Sequence, residues 1–201
     1  MKNSIKMIII IIIMVGIQAN RLMAQNQNIK AGVYLTAQDY KSGKLSYVPE
    51  VGTKLKLHDF WGGKYISVTA GNKKVRLSKS NVFGCRDGGK DYRFYQNEAY
   101  EVLDTAGFPL YAHTQLIPGG KGYVQIKNYF YSTSTAAPVL NLTVANVYRS
   151  FPEQNDFRYS IRNYFHGDAD LMVYDSINRE YQIKYLYFEH QHAKGIQHAS
   201  L

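Results

Sequence analysis

The alternation of apolar and polar residues changes character once along this chain. From Ala31 to about Thr135 the pattern is that of short strands and tight turns. Gly32-Val33-Tyr34-Leu35-Thr36 reads as a strand, Lys41-Ser42-Gly43-Lys44 as a turn, and Leu45-Ser46-Tyr47-Val48 leads away from it. Leu55 and Leu57 alternate with Lys54 and Lys56. Tyr65–Thr69, then Gly71-Asn72, then Val75-Arg76-Leu77 form a hairpin signal. Asp87-Gly88-Gly89 makes a second turn before Tyr92-Arg93-Phe94-Tyr95. Tyr100–Leu103 and Leu110–His113 read as two more strands. Gly119-Gly120-Lys121-Gly122 then turns into the longest, Tyr123 to Ser132, in which Tyr123, Gln125, Lys127 and Tyr129 share one face. About eight antiparallel strands follow from this spacing, in a sheet, sandwich or partly open barrel. The long crossover helices that parallel strands need are missing.

After Pro138 the period becomes helical. Leu140, Val144, Val147, Tyr148 and Phe151 recur at helical spacing, with Asn141 or Thr143 as cap and Pro152 as stop. A second helix carries Phe157, Ile161, Tyr164 and Phe165, with Asn155 or Asp156 as cap and Gly167 at its C-terminal end. Asp168 or Asp170 can cap a third, carrying Leu171, Met172, Tyr174, Asp175 and Ile177. Tyr181, Ile183, Tyr185 and Tyr187 alternate like a strand, while Tyr181, Tyr185 and Phe188 also fit a helix. The expected fold class is α+β. An N-terminal antiparallel β region carries two or three short helices packed on it. The expected organisation is a signal peptide over 1–24 and one domain over 25–201. That domain divides into a β-rich part (25–135), a helical part (136–188) and a flexible tail (189–201).

The first 24 residues have the anatomy of an export signal. Lys2 and Lys6 precede an unbroken apolar run from Met7 to Ile17, and a small residue, Ala24, stands before Gln25. The run is 11 residues long, against the ~20 that a spanning helix needs. The expectation is an exported, soluble, periplasmic or extracellular product with no membrane span in the mature chain. No cysteine follows the apolar run, which excludes a lipid-modified N-terminus.

Composition narrows the chemistry. Of 201 residues 45% are hydrophobic and 19% charged, which excludes general disorder. The formal charge of +9 is uneven: residues 25–135 hold 15 bases and 8 acids, whereas 136–201 hold 6 bases and 7 acids. The lysines of the β part are scattered, and export further disfavours nucleic acid as a partner. One cysteine, Cys85, excludes an internal disulfide framework and multi-cysteine zinc sites. Burial is the commonest fate of such a thiol.

Candidate chemistry is sparse. Cys85 with His58 or His113 and Asp59 contains the residue types of a thiol nucleophile, base and orienter, with no supporting local motif. His166-Gly167-Asp168-Ala169-Asp170 and Glu189-His190-Gln191-His192, with His198 beyond, resemble metal-ligand clusters. The first reads more simply as a helix stop and cap, the second as part of a tail. Gly119-Gly120-Lys121-Gly122 lacks the Ser/Thr and following helix of a phosphate loop. Glu50, Asp59, Glu98, Glu101 and Asp104 supply carboxylates but no spacing that selects a hydrolytic pair. No catalytic residue, metal site or cofactor is assigned. The outlier is tyrosine, at 18 residues. Strand tyrosines can stack on sugars or anchor a protein, although aromatic residues suit strands in any case. Tyr92, Tyr95, Tyr129 and Tyr131 are the candidate binding residues, with an envelope protein or glycan as partner. A non-catalytic binding or envelope-interaction module is the leading expectation. The alternative is a secreted hydrolase of glycan or peptide, using carboxylates or Cys85.

Several segments carry a resemblance. They are Gly32–Tyr40 with Gly43–Tyr47, Phe83–Asp87 with Asp91–Tyr95, Tyr129–Thr133, Leu142-Thr143, Phe151-Pro152 and Tyr174–Asn178. In this order the chain resembles a group of uncharacterised secreted proteins of Gram-negative gut-type anaerobic bacteria, over most of the mature length. The resemblance implies a periplasmic or outer-surface address and no particular activity. It also implies that Asp104-Thr105-Ala106 and Asp175-Ser176-Ile177 match an O-glycosylation pattern of such bacteria.

Overall fold

The computed structural model describes residues 31–49, 55–57, 63–70 and 73–199. The expected export signal, Gly71-Asn72, His58, Asp59 and Glu50 lie outside the described residues. The architecture is α+β: a seven-stranded antiparallel sheet that does not close into a barrel, two small two-stranded sheets, and helices mostly at the C-terminal end.

The chain enters through β1 (Gly32–Tyr34) and a one-turn helix α1 (Ala37–Lys41). Between the strand read as far as Thr36 and the turn read from Lys41, Thr36 and Asp39 build a capping box. Thr36 Oγ1 accepts from the Asp39 N–H (3.0 Å), and the Asp39 carboxylate accepts from the Thr36 N–H (3.1 Å). The expected hairpin is β2 (Tyr65–Ala70) with β3 (Lys73–Ser78). Then come β4 (Gly84–Asp87), β5 (Lys90–Tyr95), β6 (Glu98–Asp104), β7 (Leu110–Gly119) and β8 (Gly122–Tyr131). A short β9 (Leu140–Asn141) follows, and the sheet order is β1-β4-β5-β6-β7-β8-β9. Gln96 and Asn97 both have positive φ (50° and 68°), so they form the two-residue turn that joins β5 to β6.

Directly paired residues share a side of an antiparallel sheet. Val33, Cys85, Tyr92, Glu101, Ala112 and Tyr129 are therefore on one face. Two cores cover this face at its two ends. At the β1 end Val33, Cys85, Phe94 and Ala99 pack with Ile66 and Val68 of the β2–β3 hairpin. At the other end Phe108, Leu110 and Tyr131 pack under the helices: Val147 of α2 (Val144–Ser150), Phe157 and Ile161 of α3 (Asn155–Tyr164), and Ile183 and Leu186 of α4 (Gln182–Ala199).

The helical part departs from the sequence expectation in three places. Leu140 is in β9 rather than in the first helix, whose cap is Thr143, the acceptor for the Asn146 N–H. Gly167 is extended, with φ −156°, and is not a helix C-cap. It leads into a 3₁₀ turn, Asp168–Met172, that buries Leu171. The 181–188 stretch, which fits both periods, divides: Tyr181 pairs with Tyr174 in a two-residue strand, and the helix runs from Gln182 onward. Ile183 and Leu186 are buried while Tyr185 is half exposed, so the three-residue spacing prevails over the alternation. Gly107 (φ +67°) brings the β6–β7 loop against α4, where a Cβ would lie 2.6 Å from the Tyr187 ring.

Candidate functional site

The second face of the sheet carries a cationic and aromatic layer. Arg93 is buried and donates to Tyr111 Oη (3.0 Å), Ser132 Oγ (3.2 Å) and Ala137 O (2.7 Å). Its guanidinium also lies over the rings of Phe83, Tyr95 and Tyr111. Arg86 pairs with Asp91 in a two-pronged contact (2.7 Å each), and Tyr34 donates to the same carboxylate. Burial first, then this bond to Asp91, pushes the Tyr34 phenol well above its usual range. Arg93 ties the sheet to the 132–139 segment through Ser132 and Ala137, and its Nε is buried without a hydrogen-bond partner.

The four candidate tyrosines do not form one patch. Tyr131 is fully buried; its ring meets Phe108 edge-on and its hydroxyl lies 2.6 Å from Ser150 Oγ. It shares a face with Tyr129, as alternation requires, but the helices cover that face. Tyr131 is therefore a core residue and cannot offer its ring to a ligand. Tyr92 is half-buried against the other core. Tyr95 belongs to the opposite face, under Arg93. Tyr129 remains: it is half-buried, packs against the helical core and lines a hollow.

The hydrolytic constellations come apart. Cys85 is fully buried. It shares the face of Ala112, so His113, the next residue along, points to the other side of the sheet. The two are also three strands apart, ~14 Å at the usual spacing. His113 is bonded to the Ala99 carbonyl (Nδ1 to O, 3.1 Å). Glu101 is held by Lys90 (2.8 Å) and Asp104 accepts from the Ala106 N–H (2.7 Å). Glu98 is on the face opposite Glu101. Asp168 accepts the Val144 N–H (2.8 Å), and Asp170 those of His166 and Gly167 (3.0 Å each), so both carboxylates organise backbone. His190 bonds Ser160 Oγ (2.7 Å), and the side chains of His192 and His198 lie outside the described residues. Among the described residues no three His, Cys, Asp or Glu side chains gather as metal ligands.

What remains is a protruding arm and the hollow at its root. The β7–β8 ladder runs from Leu110↔Tyr131 to Gly119↔Gly122. The β6 pairing ends at Glu101↔Ala112 and β9 ends at Asn141, so among the described residues no strand flanks the stretch 114–127. It exposes Leu116, Ile117, Tyr123, Val124 and Ile126. Its two edges differ. The Leu142 N–H donates to the Tyr129 carbonyl (3.0 Å), so odd-numbered residues of β8 turn their backbone groups away from β7. Among the described residues no strand pairs with Tyr123, Gln125 and Lys127. On β7 the outward residues are even-numbered, and one of them is Pro118, which has no N–H to give. The proline blunts the β7 edge and leaves the β8 edge open. That open edge leads into a hollow of about 580 Å³, lined by Lys127, Tyr129, Asn141, Thr143 and Asp168 among others.

Sequence reasoning identified the arm's turn and which residues of β8 share a face. It missed that the arm projects, because projection depends on where β6 and β9 stop. A signal was present in the run Leu116 to Ile126, where apolar residues stand at odd and even positions alike. Compared with protein-family models, curated proteins and solved structures, the chain matches none. Among the described residues no helix is long and apolar enough to cross a membrane.

Proposed function

We propose that this is an exported, non-catalytic interaction module of the bacterial cell envelope, released into the periplasm or beyond after loss of residues 1–24. It works by strand addition: an extended polypeptide pairs with the open edge of β8. The observation that carries this reading is the row of outward backbone groups on Tyr123, Gln125 and Lys127, flanked by exposed apolar side chains and ending in the Tyr129 hollow. Backbone pairing gives such a site affinity, and alternate side chains give it selectivity. The export sequence supports the address. A second reading, a sugar stacked on Tyr129, is favoured by the amide groups of Asn128 and Asn141 in the same hollow.

The test is selection of short displayed peptides on the purified protein, followed by amide hydrogen exchange with the selected peptide bound. Slowed exchange at Tyr123, Gln125 and Lys127, with Val124 and Ile126 unchanged, is the expected result. Enrichment of no peptide, together with a positive glycan array that Tyr129→Ala abolishes, would transfer the assignment to the sugar reading.

A further inference from the structure

We propose that the strand added to β8 is β8 of a second copy of this chain. In this pairing each arm's glycine tip enters the other copy's hollow, and Lys121 meets Asp168. The inference rests on the strand-addition reading and names its occupant.

The register follows from the groups already in place. A two-fold pairing must set outward residues against outward residues, so its centre falls on a single residue of β8, and three neighbouring choices arise. Centred at Val124, it would set Lys121 against Lys127 of the other copy, two like charges directly opposed. Centred at Ile126, it would need the edge at Tyr129, whose carbonyl already accepts from Leu142. Centred at Gln125, it sets Gln125 against Gln125 and Tyr123 against Lys127. Val124 then faces Ile126, so the Ile117–Val124 pair of one arm meets Ile126 of the other. A Lys-to-Tyr contact is attractive across strands, and Lys127 already lies 5.7 Å from the Tyr129 ring within one chain.

Beyond Tyr123 the incoming strand reaches the point where β9 occupies the edge. There the ladder must end, and the turn Gly119-Gly120-Lys121-Gly122 continues into the hollow. Gly120 and Gly122 have no atom within 4 Å of an added Cβ, so the tip is thin and unobstructed. Asp168 is exposed and is the one acid lining the hollow. Its Oδ1 is used by Val144, which leaves Oδ2 for the incoming ammonium. In the arm from Thr114 to Asn128 both charged residues are lysines, so an acid at the receiving site is complementary. A lipid surface does not fit the arm as well. Hydrocarbon would leave the outward N–H and C=O groups of β8 unpaired, whereas a strand satisfies them. Paired edges and a docked tip amount to a small interface, below ~1,200 Å², so the dimer should be reversible.

Sedimentation equilibrium of the purified protein over a wide concentration range tests this, with thermal unfolding as the folding control. A concentration-dependent dimer is expected. Gln125→Pro removes one outward N–H while leaving every β7–β8 bond, and should give a monomer that unfolds at an unchanged temperature. Lys121→Gln and Asp168→Asn should each weaken the dimer severalfold, and the double variant no further. Asp168→Asn keeps an oxygen for the Val144 N–H. Under mild oxidation Gln125→Cys should cross-link to itself, because facing Cα atoms lie within disulfide reach. Tyr123→Cys and Lys127→Cys should not, while the native thiol stays buried. A monomer at every concentration, or equal cross-linking at all three positions, would overturn the proposal. Peptide protection of the β8 amides in a monomeric protein would overturn self-pairing and leave strand addition standing.

Discussion

One hairpin, β7–β8, contains two regions that share a ladder and differ in everything that covers them. At its root Leu110–His113 pairs with Asn128–Tyr131; Leu110, Tyr111, Ala112 and Tyr131 are almost fully buried there. One face lies under the helical core; on the other, Tyr111 and Phe130 pack beside Arg93 and Tyr100. In the arm, Thr114–Gly119 pairs with Gly122–Lys127 in the same register, and Leu116, Ile117, Val124 and Ile126 are exposed. The root is the more apolar of the two, yet the arm still carries Leu116, Ile117, Tyr123, Val124 and Ile126. An isolated two-stranded hairpin is marginal in water, so the root holds the arm in shape and the arm adds little stability in return. Apolar residues on both faces of an uncovered ribbon indicate an interaction surface.

The largest effect should come from the root. Phe108→Ala empties the centre of the helical core, where the ring contacts Tyr131, Phe151, Phe157 and Tyr187. A loss of about 3–5 kcal/mol is expected in denaturant unfolding. A loss under ~1 kcal/mol would mean that the helices do not depend on this end of the sheet.

The next effect is a pH dependence set first by Lys184 of α4. Lys184 is buried and donates to the carbonyls of Ala106 and Phe108, with Asp104 3.8 Å away. Burial is the largest influence and lowers its pKa from 10.5 to about 8; Asp104 opposes this. Between those values the unfolded chain binds the proton more tightly, so stability rises as pH climbs from about 8. Half-buried tyrosines act oppositely. Tyr40, pushed from 10.0 to about 12 mainly by burial, keeps its proton after the unfolded chain has lost it. Stability therefore falls again above pH 10.0, and the rise is confined to the interval between. Lys184→Met should be less stable at neutral pH, because two carbonyls lose their donor, and should lack the rise. A rise that persists in the variant would place its origin elsewhere.

The smallest effect should come from the arm. Ile126→Thr keeps β-branching and strand pairing, and should change monomer stability by no more than about 0.5 kcal/mol. In the dimer it removes the apolar partner of Val124, so association should weaken while unfolding of the dilute protein does not change. Equal destabilisation at Phe108 and Ile126 would erase the distinction between root and arm.

Much of this molecule was legible before folding. Strand alternation, the turns at Asp87-Gly88-Gly89 and Gly119–Gly122, the stop at Pro152 and the Thr143 cap depend on neighbours within a few residues, where local sterics and hydrogen bonds decide. So did the α+β division, because the hydrophobic period changes near Pro138. The candidate site was legible only in part. Tyr129 was among the residues singled out, and the open β8 edge was not. That Tyr131 is core and Tyr129 is accessible depends on where the helices come to rest, two residues apart on one face. The 181–188 segment fits both periods, and only its packing as Ile183 and Leu186 against Phe108 and Phe157 selects the helix. Local periodicity specifies which side of an element is apolar. What covers that side, and where cover ends, is a property of distant segments meeting, and this is what turns the outer half of β7–β8 into an arm.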